Sequence, residues 1–543
     1  MTNFGLPQNT RMTKNPSPVA ASAIPKVLAN FMVNLGQAQS DSQILEPYLG
    51  QGEVLRALAE NGLNRVTAYG DSRRIIEQLK NEYPTFQLER KDFLASALGA
   101  NYDLAIGRPP YVVWADIYKN TKRILTQKKF WRALTSSDWD LLYAYLIWQI
   151  EQLSVGGRLV VLCPVTWFTN HSGAGLRRYL AHNTRLETLI SLGLQNTLGE
   201  AAASFAVLVF CKEPPDAKKR TRIVEITQKN CNLEVVLPEI ADDLEKIPAE
   251  RSYERSRNSY RFYNRRNFLT DESWYLATPA EEAAIRALED GALLHLGEVV
   301  DLSLGPISGA NEAFALSEEE AAAIPGPEQK LVRYFVKAEH CKRWRVTGAA
   351  AYLWPNEISD LGELETTYPT IFSRLVSFMQ TLSARYLPAN RPWWHWTTIR
   401  GVGAVEVSGG HLFVPGSTSS APARYSYAKD NALFGLGDLL TISAGKQNKE
   451  HLLYILAWLN SGLVERWYQI KGGQHAGRLR YSIGQVSEIP YRPIDRSDPA
   501  ELKIHNDVVK LVQKILVETN EDQISEIERQ INLLIGRLLA KVH

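Results

Sequence analysis

Four short clusters near the N-terminus carry side chains able to hold a charged, flat ligand: Glu46-Pro47-Tyr48-Leu49-Gly50-Gln51-Gly52, then Asp71, Asp92-Phe93 and Arg108-Pro109-Pro110-Tyr111. A carboxylate such as Glu46 accepts from a ligand amine or hydroxyl, and glycines at positions 50 and 52 let backbone approach the ligand closely. An aspartate beside an aromatic, as in Asp92-Phe93, can accept from a base amino group while the ring stacks. Two consecutive prolines stiffen a loop and hold Arg108 and Tyr111 in fixed directions, which suits a platform gripping a flat base. Each cluster also has a plainer role. The glycines can serve a tight strand-to-helix turn, either aspartate a helix N-cap, and the prolines a rigid strand exit.

All four clusters follow short apolar runs. Candidate strands are Gln43 to Leu45, Arg65 to Tyr69, Phe86 to Arg90, Tyr102 to Ile106, Arg158 to Cys163, Glu187 to Leu192 and Ala206 to Cys211. They alternate with amphipathic stretches, the pattern of a parallel sheet with crossover helices, so residues 19–222 are read as a Rossmann-like α/β domain. A helix is expected over Leu141 to Leu153, stopped by Gly156-Gly157. The last two strands are too close for a helical crossover and predict an antiparallel hairpin at the sheet edge. Two prolines and clustered charge in Cys211 to Arg222 read as a surface turn leading out of the domain. Residues 223–290 are taken as a connecting region. Residues 291–495, with short β-like runs and many aromatics, are taken as a mixed α+β domain. Residues 496–543 form a C-terminal helical segment, with Ile504, Val508, Leu511, Val512 and Ile515 on one face and a break at Asn520-Glu521-Asp522. Residues 1–18, rich in Asn, Thr and Pro, are expected to be a flexible N-terminus.

Composition sets the class and excludes several functions. At 543 residues the chain exceeds one ordinary core, and 45% hydrophobic with 22% charged residues is the balance of a folded protein. A net charge of +2 names no partner, since a basic face can be offset elsewhere. Cys163, Cys211, Cys231 and Cys341 form no CxxC pair and no zinc-type spacing with histidine, so no metal is expected. With no secretory-type apolar region and no membrane-length apolar run, a cytoplasmic protein without membrane contact is expected.

Taken in order, the clusters resemble the gamma-class (amino-group) DNA adenine-N6 methyltransferase family, in which a methyltransferase domain precedes a target-recognition domain. Val161-Leu162-Cys163-Pro164-Val165-Thr166-Trp167-Phe168 is similar to the family strand after the catalytic motif. Leu459-Asn460-Ser461 and Glu488-Ile489-Pro490 resemble the recognition-domain ending, so the likeness covers nearly the whole chain. It implies S-adenosylmethionine as cofactor, with Glu46, Gly50 and Gly52 at its methionine end, Asp92 and Phe93 at its adenine, and Asp71 also at the cofactor. It implies double-stranded DNA as partner, residues 291–495 as the DNA-binding domain, and a restriction or methyltransferase partner subunit. Pro109, Pro110 and Tyr111 match the last three residues of the Asn-Pro-Pro-Tyr signature, whose Tyr stacks on a flipped adenine.

Four positions depart from that pattern. Arg108 stands where the family's Asn accepts from the adenine amino group, and guanidinium only donates and stays charged. Tyr69 stands where an acid binds the ribose hydroxyls. Leu198 stands where a second aromatic stacks on the base, with Phe205 nearby. Ser22 to Pro25 match only loosely the Thr-Pro segment that closes over the cofactor. Together they predict a DNA-binding family member whose methyl-transfer site is impaired or inactive. The alternatives are an active adenine-N6 methyltransferase and a structural subunit that does not touch DNA.

Two basic stretches are candidate DNA contacts. Arg251 to Phe268 interleaves Arg255, Arg257, Arg261, Arg265 and Arg266 with Tyr253, Tyr260, Tyr263 and Phe268, a phosphate-contacting pattern or else a solvated charged face. Lys471, Arg478 and Arg480 flank a Gly-rich loop that suits base edges or a solvated connector. The tryptophans of Arg391 to Trp396 are assigned to a β-domain core. Glu89-Arg90-Lys91 has the acid-x-Lys order of some nucleases, but its place at a strand end just before Asp92 marks it as coincidence.

Overall fold

Short apolar runs bounded by turn residues become the strands of one sheet. The computed structural model describes residues 23–540, apart from 98, 100, 113–115, 118, 129–139, 194, 196–203, 215, 217, 267, 389–390, 403–408, 419–422, 446–450 and 476–477. In chain order the first unit contains α1 (Lys26–Gly36), β1 (Ile44–Glu46), α2 (Glu53–Glu60), β2 (Val66–Gly70), α3 (Arg73–Glu82), β3 (Gln87–Arg90), β4 (Tyr102–Gly107), α4 (Lys119–Thr126) and α5 (Leu141–Gln152). It continues with β5 (Leu153–Pro164), α6 (Ala174–Asn183), β6 (Arg185–Gly193), β7 (Phe205–Cys211), β8 (Arg220–Ile226), α7 (Leu233–Lys246), β9 (Glu254–Ser256) and β10 (Tyr260–Arg266).

These strands form a ten-stranded sheet of order β3-β2-β1-β4-β5-β7-β6-β8-β10-β9. The first five are parallel, for example Leu45 beside Thr67 and Ala105, and β7 runs antiparallel between β5 and β6. Helices cover both faces, which is why the central strands are apolar on both sides. Leu104, Ile106, Val160 and Leu162 pack with α1, α2, α3 and α7, while Ala105, Leu159, Val161 and Cys163 pack with α5 and α6. All four cysteines are buried free thiols.

Four expectations need correction. Gly156-Gly157 do not end α5. They lie inside β5, Gly156 at φ +83° and Gly157 so close to the Tyr102 and Ser154 carbonyls that a Cβ would collide. The ladder to β4 shifts register between Tyr102 and Leu104, so the glycines serve a bulge. The β6/β7 pair is antiparallel, but it is not the sheet edge, because β8 adds in parallel beyond β6 and β10 and β9 follow. Cys211 to Arg222 therefore turns the chain back into the same sheet. The stretch 223–290 is not only a connection, since its apolar β8 and β10 residues complete the sheet and α7 packs on it.

The chain divides into two compact units at Pro279. The second holds a five-stranded sheet built from Val300–Leu304, Leu440–Ala444, His411–Val414, Ser426–Ala428 and Trp344–Arg345, and a four-stranded sheet built from Ala315–Leu316, Ala350–Leu353, Val332–Val336 and Phe434–Gly435. Trp394 and Trp396 are core residues there. Their indoles donate to the Ile358 and Leu353 carbonyls, and Trp396 packs with Phe314, Phe335 and Trp354. The tail folds as helices Pro499–Val517 and Glu521–Ala540. Val508, Val512 and Ile515 are buried in the first of these, while Ile504 and Leu511 are half-buried. Among the described residues no helix is long and apolar enough to cross a membrane.

Candidate functional site

The sheet order reverses direction at β1, which has β2 on one side and β4 on the other, and ligands in open α/β sheets bind at the carboxyl end of such a switch point. Glu46 ends β1 and Arg108 follows β4, so parallel pairing brings them to that crevice. An added Cβ on Gly107 would lie 3.8 Å from Glu46 Cγ, which measures how close the two strand ends are. Together with Ile24, Tyr48, Leu49, Gly50, Gln51, Glu53 and Val54, they line a solvent-open cleft of about 320 Å³. Ile24 belongs to the loosely matched cofactor-closing segment; Ser22 lies outside the described residues.

The glycine turn is shaped for close approach. Gly50 and Gly52 have φ of +54° and +85°, and a Cβ on Gly52 would sit 2.6 Å from Leu79. Gly52 is the N-cap of α2 and supplies no side-chain cap, which leaves the helix's first amides to the cleft. The Leu49 amide donates to the Tyr69 carbonyl at 2.8 Å and ties this loop to β2. Glu46 is 1% exposed, and its Oε2 accepts no hydrogen bond among the described residues. Burial, reinforced by the Glu53 charge, pushes its carboxyl well above the usual value. A buried carboxylate oxygen without a donor is costly unless a ligand cation supplies one. The glycine turn, the free helix amides and Glu46 therefore fit the amino-acid end of S-adenosylmethionine.

The aspartates part ways. Asp92 is an N-cap, taking the Leu94 amide at 3.0 Å, and it also accepts from Tyr145 and Thr121 at 3.4 and 3.2 Å. Its carboxylate is committed within the chain. Phe93 is 1% exposed, its ring 5.4 Å from Tyr69 and 5.7 Å from Tyr145. Asp71 is exposed and is not a cap, because Ser72 caps α3 by accepting from Ile75. Tyr48 is pushed up to about 12 by burial and then by the Asp71 charge. Tyr69 is only 7% exposed, and burial followed by Tyr102 and Glu89 pushes it up to about 12. It stays a neutral phenol packed on Phe93, in place of an acid.

Arg108 is 4% exposed, its guanidinium carbon 4.9 Å from the Phe205 ring centre and 6.0 Å from that of Tyr111. Those two rings meet edge-on at 6.2 Å and 65°. The cation lies against both. Leu198 lies outside the described residues. Sequence reading missed Asp140, which fixes the Pro109-Pro110-Tyr111 turn: its Oδ1 accepts from the Val112 amide at 2.8 Å and caps α5 through the Leu142 amide at 2.9 Å. An Asp immediately before the run Leu141-Leu142-Tyr143 is the signal that reveals it.

The arginine-rich segment behaves differently from its reading. Arg257 makes a two-pronged pair with Asp243 at 3.0 and 2.7 Å, Arg261 pairs with Glu225 at 2.8 Å, and Arg265 donates to the Tyr275 carbonyl at 2.8 Å. Tyr260, Tyr263 and Phe268 are buried in the sheet cores. Those groups hold β8, β10 and α7 together, and only Arg255 and Arg266 of the five named arginines are exposed. Burial alone would raise the Asp243 carboxyl, but hydrogen bonds from Arg257 and Tyr260 outweigh it and hold it below its ordinary 3.8. A lowered pKa stabilises the fold above that ordinary value and is lost as pH falls through the folded one. Arg257→Ala is therefore expected to cost about 1–3 kcal/mol near neutral pH, with the deficit shrinking under acid. Urea unfolding at several pH values measures it, and a wild-type midpoint would refute the role.

Lys471 is paired with Glu289 at 2.6 Å. Arg478 and Arg480 are exposed on the strand Arg478–Arg480, the middle of a three-stranded ribbon with Ser417–Thr418 and Gly473–His475, and neither forms an ion pair with a described residue. Among the described residues no cluster of three or more His, Cys, Asp or Glu side chains could hold a metal.

A parallel sheet with a glycine turn and a carboxylate at its switch point, followed by a second α+β unit, defines the class: a Rossmann-like S-adenosylmethionine-dependent methyltransferase fold. Residues 50–197 match the family model described as Eco57I restriction-modification methylase. The chain is 26% identical over 529 residues to the Type II methyltransferase M.HindII of Haemophilus influenzae, covering 95% of this chain and 97% of that one. It is 29% identical over 245 residues to M.MjaIV of Methanocaldococcus jannaschii, covering 44% of this chain and 79% of that one. In fold it is similar to the Type IIL restriction-modification enzyme MmeI, solved in complex with DNA, with TM-score 0.59 and 12% identity over 95% of this chain and 72% of that one. These matches support an adenine-N6 methyltransferase family of restriction-modification systems as the one this chain is similar to.

Proposed function

We propose that the protein is a sequence-selective DNA-binding member of this family whose methyl-transfer site is impaired or inactive. The observation that carries this reading is Arg108, buried between the cofactor cleft and the rings of Tyr111 and Phe205. Methyl transfer to an amino nitrogen builds positive charge on that nitrogen, and an acceptor beside it stabilises the transition state. A guanidinium offers donors only and adds a positive charge, so it opposes the step in both respects. Tyr69 adds to the loss, since a neutral phenol packed on Phe93 cannot make a charged two-point contact to ribose hydroxyls. DNA binding is supported by full-length similarity to Type II methyltransferases and by the exposed Arg478 and Arg480 ribbon. A restriction or methyltransferase subunit is the partner that would supply activity or cleavage.

The test is transfer of labelled methyl groups from S-adenosylmethionine to unmethylated genomic DNA. No transfer above background is expected from the parent. Arg108→Asn is expected to stay at least about a hundredfold below a competent family enzyme, because Tyr69 is unchanged. Robust transfer by the parent would overturn the reading and establish an ordinary modification enzyme. Absence of any salt-sensitive DNA binding would instead favour a structural subunit.

A further inference from the structure

One buried aromatic side chain underlies the Arg478–Arg480 strand, and its polar end meets that strand at a single atom. We propose that the Tyr468 hydroxyl is a positioning group for Arg480, fixing the backbone from which that arginine reads a guanine edge in double-stranded DNA. The proposal rests on the DNA-binding reading above. Tyr468 lies on the helix Gly462–Lys471, which leads through Gly472 into the strand Gly473–His475. It is 2% exposed, and its hydroxyl donates to the Arg480 carbonyl at 2.6 Å. Its ring stacks on that of Tyr481, with 4.6 Å between centres and 9° between planes. Ring and backbone of Tyr468 also leave no room for a Cβ on Gly472, so the chain enters the ribbon pressed against it.

Side chains alternate across a strand, so Tyr481 turns in to its stack while Arg480 turns out, where it is exposed. Arg480 is held on both edges, opposite Ser417 and Gly473, and the Tyr481 amide beside it donates to the Gly416 carbonyl at 2.9 Å. Among the described residues Arg478 is paired on one edge, with His475. An arginine singles out guanine only when two of its donors meet O6 and N7 together, so a shift of its own backbone spoils the contact. A phosphate contact tolerates such a shift and carries no sequence information. The hydroxyl therefore bears on which duplex is preferred more than on whether duplex is bound. A neighbouring phenol gives the contrast. Tyr425 packs on Tyr481 at 5.9 Å and is as deeply buried, yet its hydroxyl has no hydrogen-bond partner among the described residues.

Titration of the full chain against the duplex it selects from random sequence, and against a scrambled duplex, tests this. Tyr468→Phe keeps the ring and removes the hydroxyl, and is expected to lower the ratio of the two affinities about fivefold. Affinity for the scrambled duplex, and its dependence on salt, should stay within about twofold of the parent. In an Arg480→Ala background the same change is expected to alter the ratio less than about twofold, because the side chain it positions is gone. Tyr425→Phe is expected to keep the parent's ratio. An equal loss against both duplexes, a loss undiminished in the Arg480→Ala background, or the same loss from Tyr425→Phe would each overturn the proposal. So would a Tyr468→Phe protein that thermal melts show unfolded at the assay temperature, since the hydroxyl would then serve the fold alone. The parent separates the remaining failures. If it binds neither duplex, the functional reading falls and the proposal with it, whereas a selective parent matched by an equally selective Tyr468→Phe sinks only the positioning.

Discussion

Replacing Glu46 by Gln is expected to raise the melting temperature of the ligand-free protein while lowering its affinity for S-adenosylhomocysteine by about a hundredfold. Both effects come from one buried carboxyl. Its Oε2 lacks a donor among the described residues, and burial, with Glu53, raises its pKa well above the ordinary 4.5. In the unfolded chain the group ionises near that ordinary value. Above it, therefore, the folded state retains a proton that the unfolded state has released, and stability falls as pH rises. A neutral amide escapes that penalty, for a gain of about 1 kcal/mol or about 1–2 °C in a unit of this size. The stability gap between variant and parent should widen from about pH 5 to about pH 8. The same amide cannot pair with a ligand ammonium, which removes a charge-assisted contact. Calorimetric titration and thermal melts on one preparation read both effects, and a variant less stable than the parent, or one that binds ligand normally, would show that Glu46 is only a core residue.

Arg478→Ala together with Arg480→Ala is expected to reduce affinity for the preferred DNA site by about a hundredfold or more and to flatten discrimination against other sequences. The two residues alternate along one strand and so project from the same face of the ribbon, where both are exposed. A β-ribbon fits the major groove, and an arginine reads guanine through its O6 and N7 acceptors. Selection from random duplexes defines the site, and titration against that site and against scrambled duplexes gives the ratio. Arg255→Ala with Arg266→Ala should lower affinity for both duplexes alike, as phosphate contacts do, and should lessen its dependence on salt. An unchanged ratio in the Arg478/Arg480 variant would remove the ribbon from recognition and leave the Lys471 to Arg480 loop as a connector.

The strands that carry the cleft were legible because their signals are local. Gln43 to Leu45, Arg65 to Tyr69 and Tyr102 to Ile106 are short apolar runs followed by turn residues, and each lies within about two positions of its strand. The two tail helices were legible for the same reason, through periodic apolar residues and a polar break. Gly156-Gly157 misled because a glycine pair reads alike as a helix stop and as a bulge, and only the β4 register distinguishes the two. Arg257 and Arg261 misled because their carboxylate partners Asp243 and Glu225 lie 14 and 36 positions away and meet them only in the folded sheet.

Sequence by itself determined the class of fold, the family resemblance, and the presence of a donor-only cation at position 108, since motif order and residue type need no third dimension. Tertiary structure alone decided what that cation does. Glu46 and Arg108 are separated by two helices and three strands along the chain, and the parallel placement of β4 against β1 seats both in one cleft. Their shared place in that cleft follows from strand pairing and burial, and no local sequence pattern encodes either.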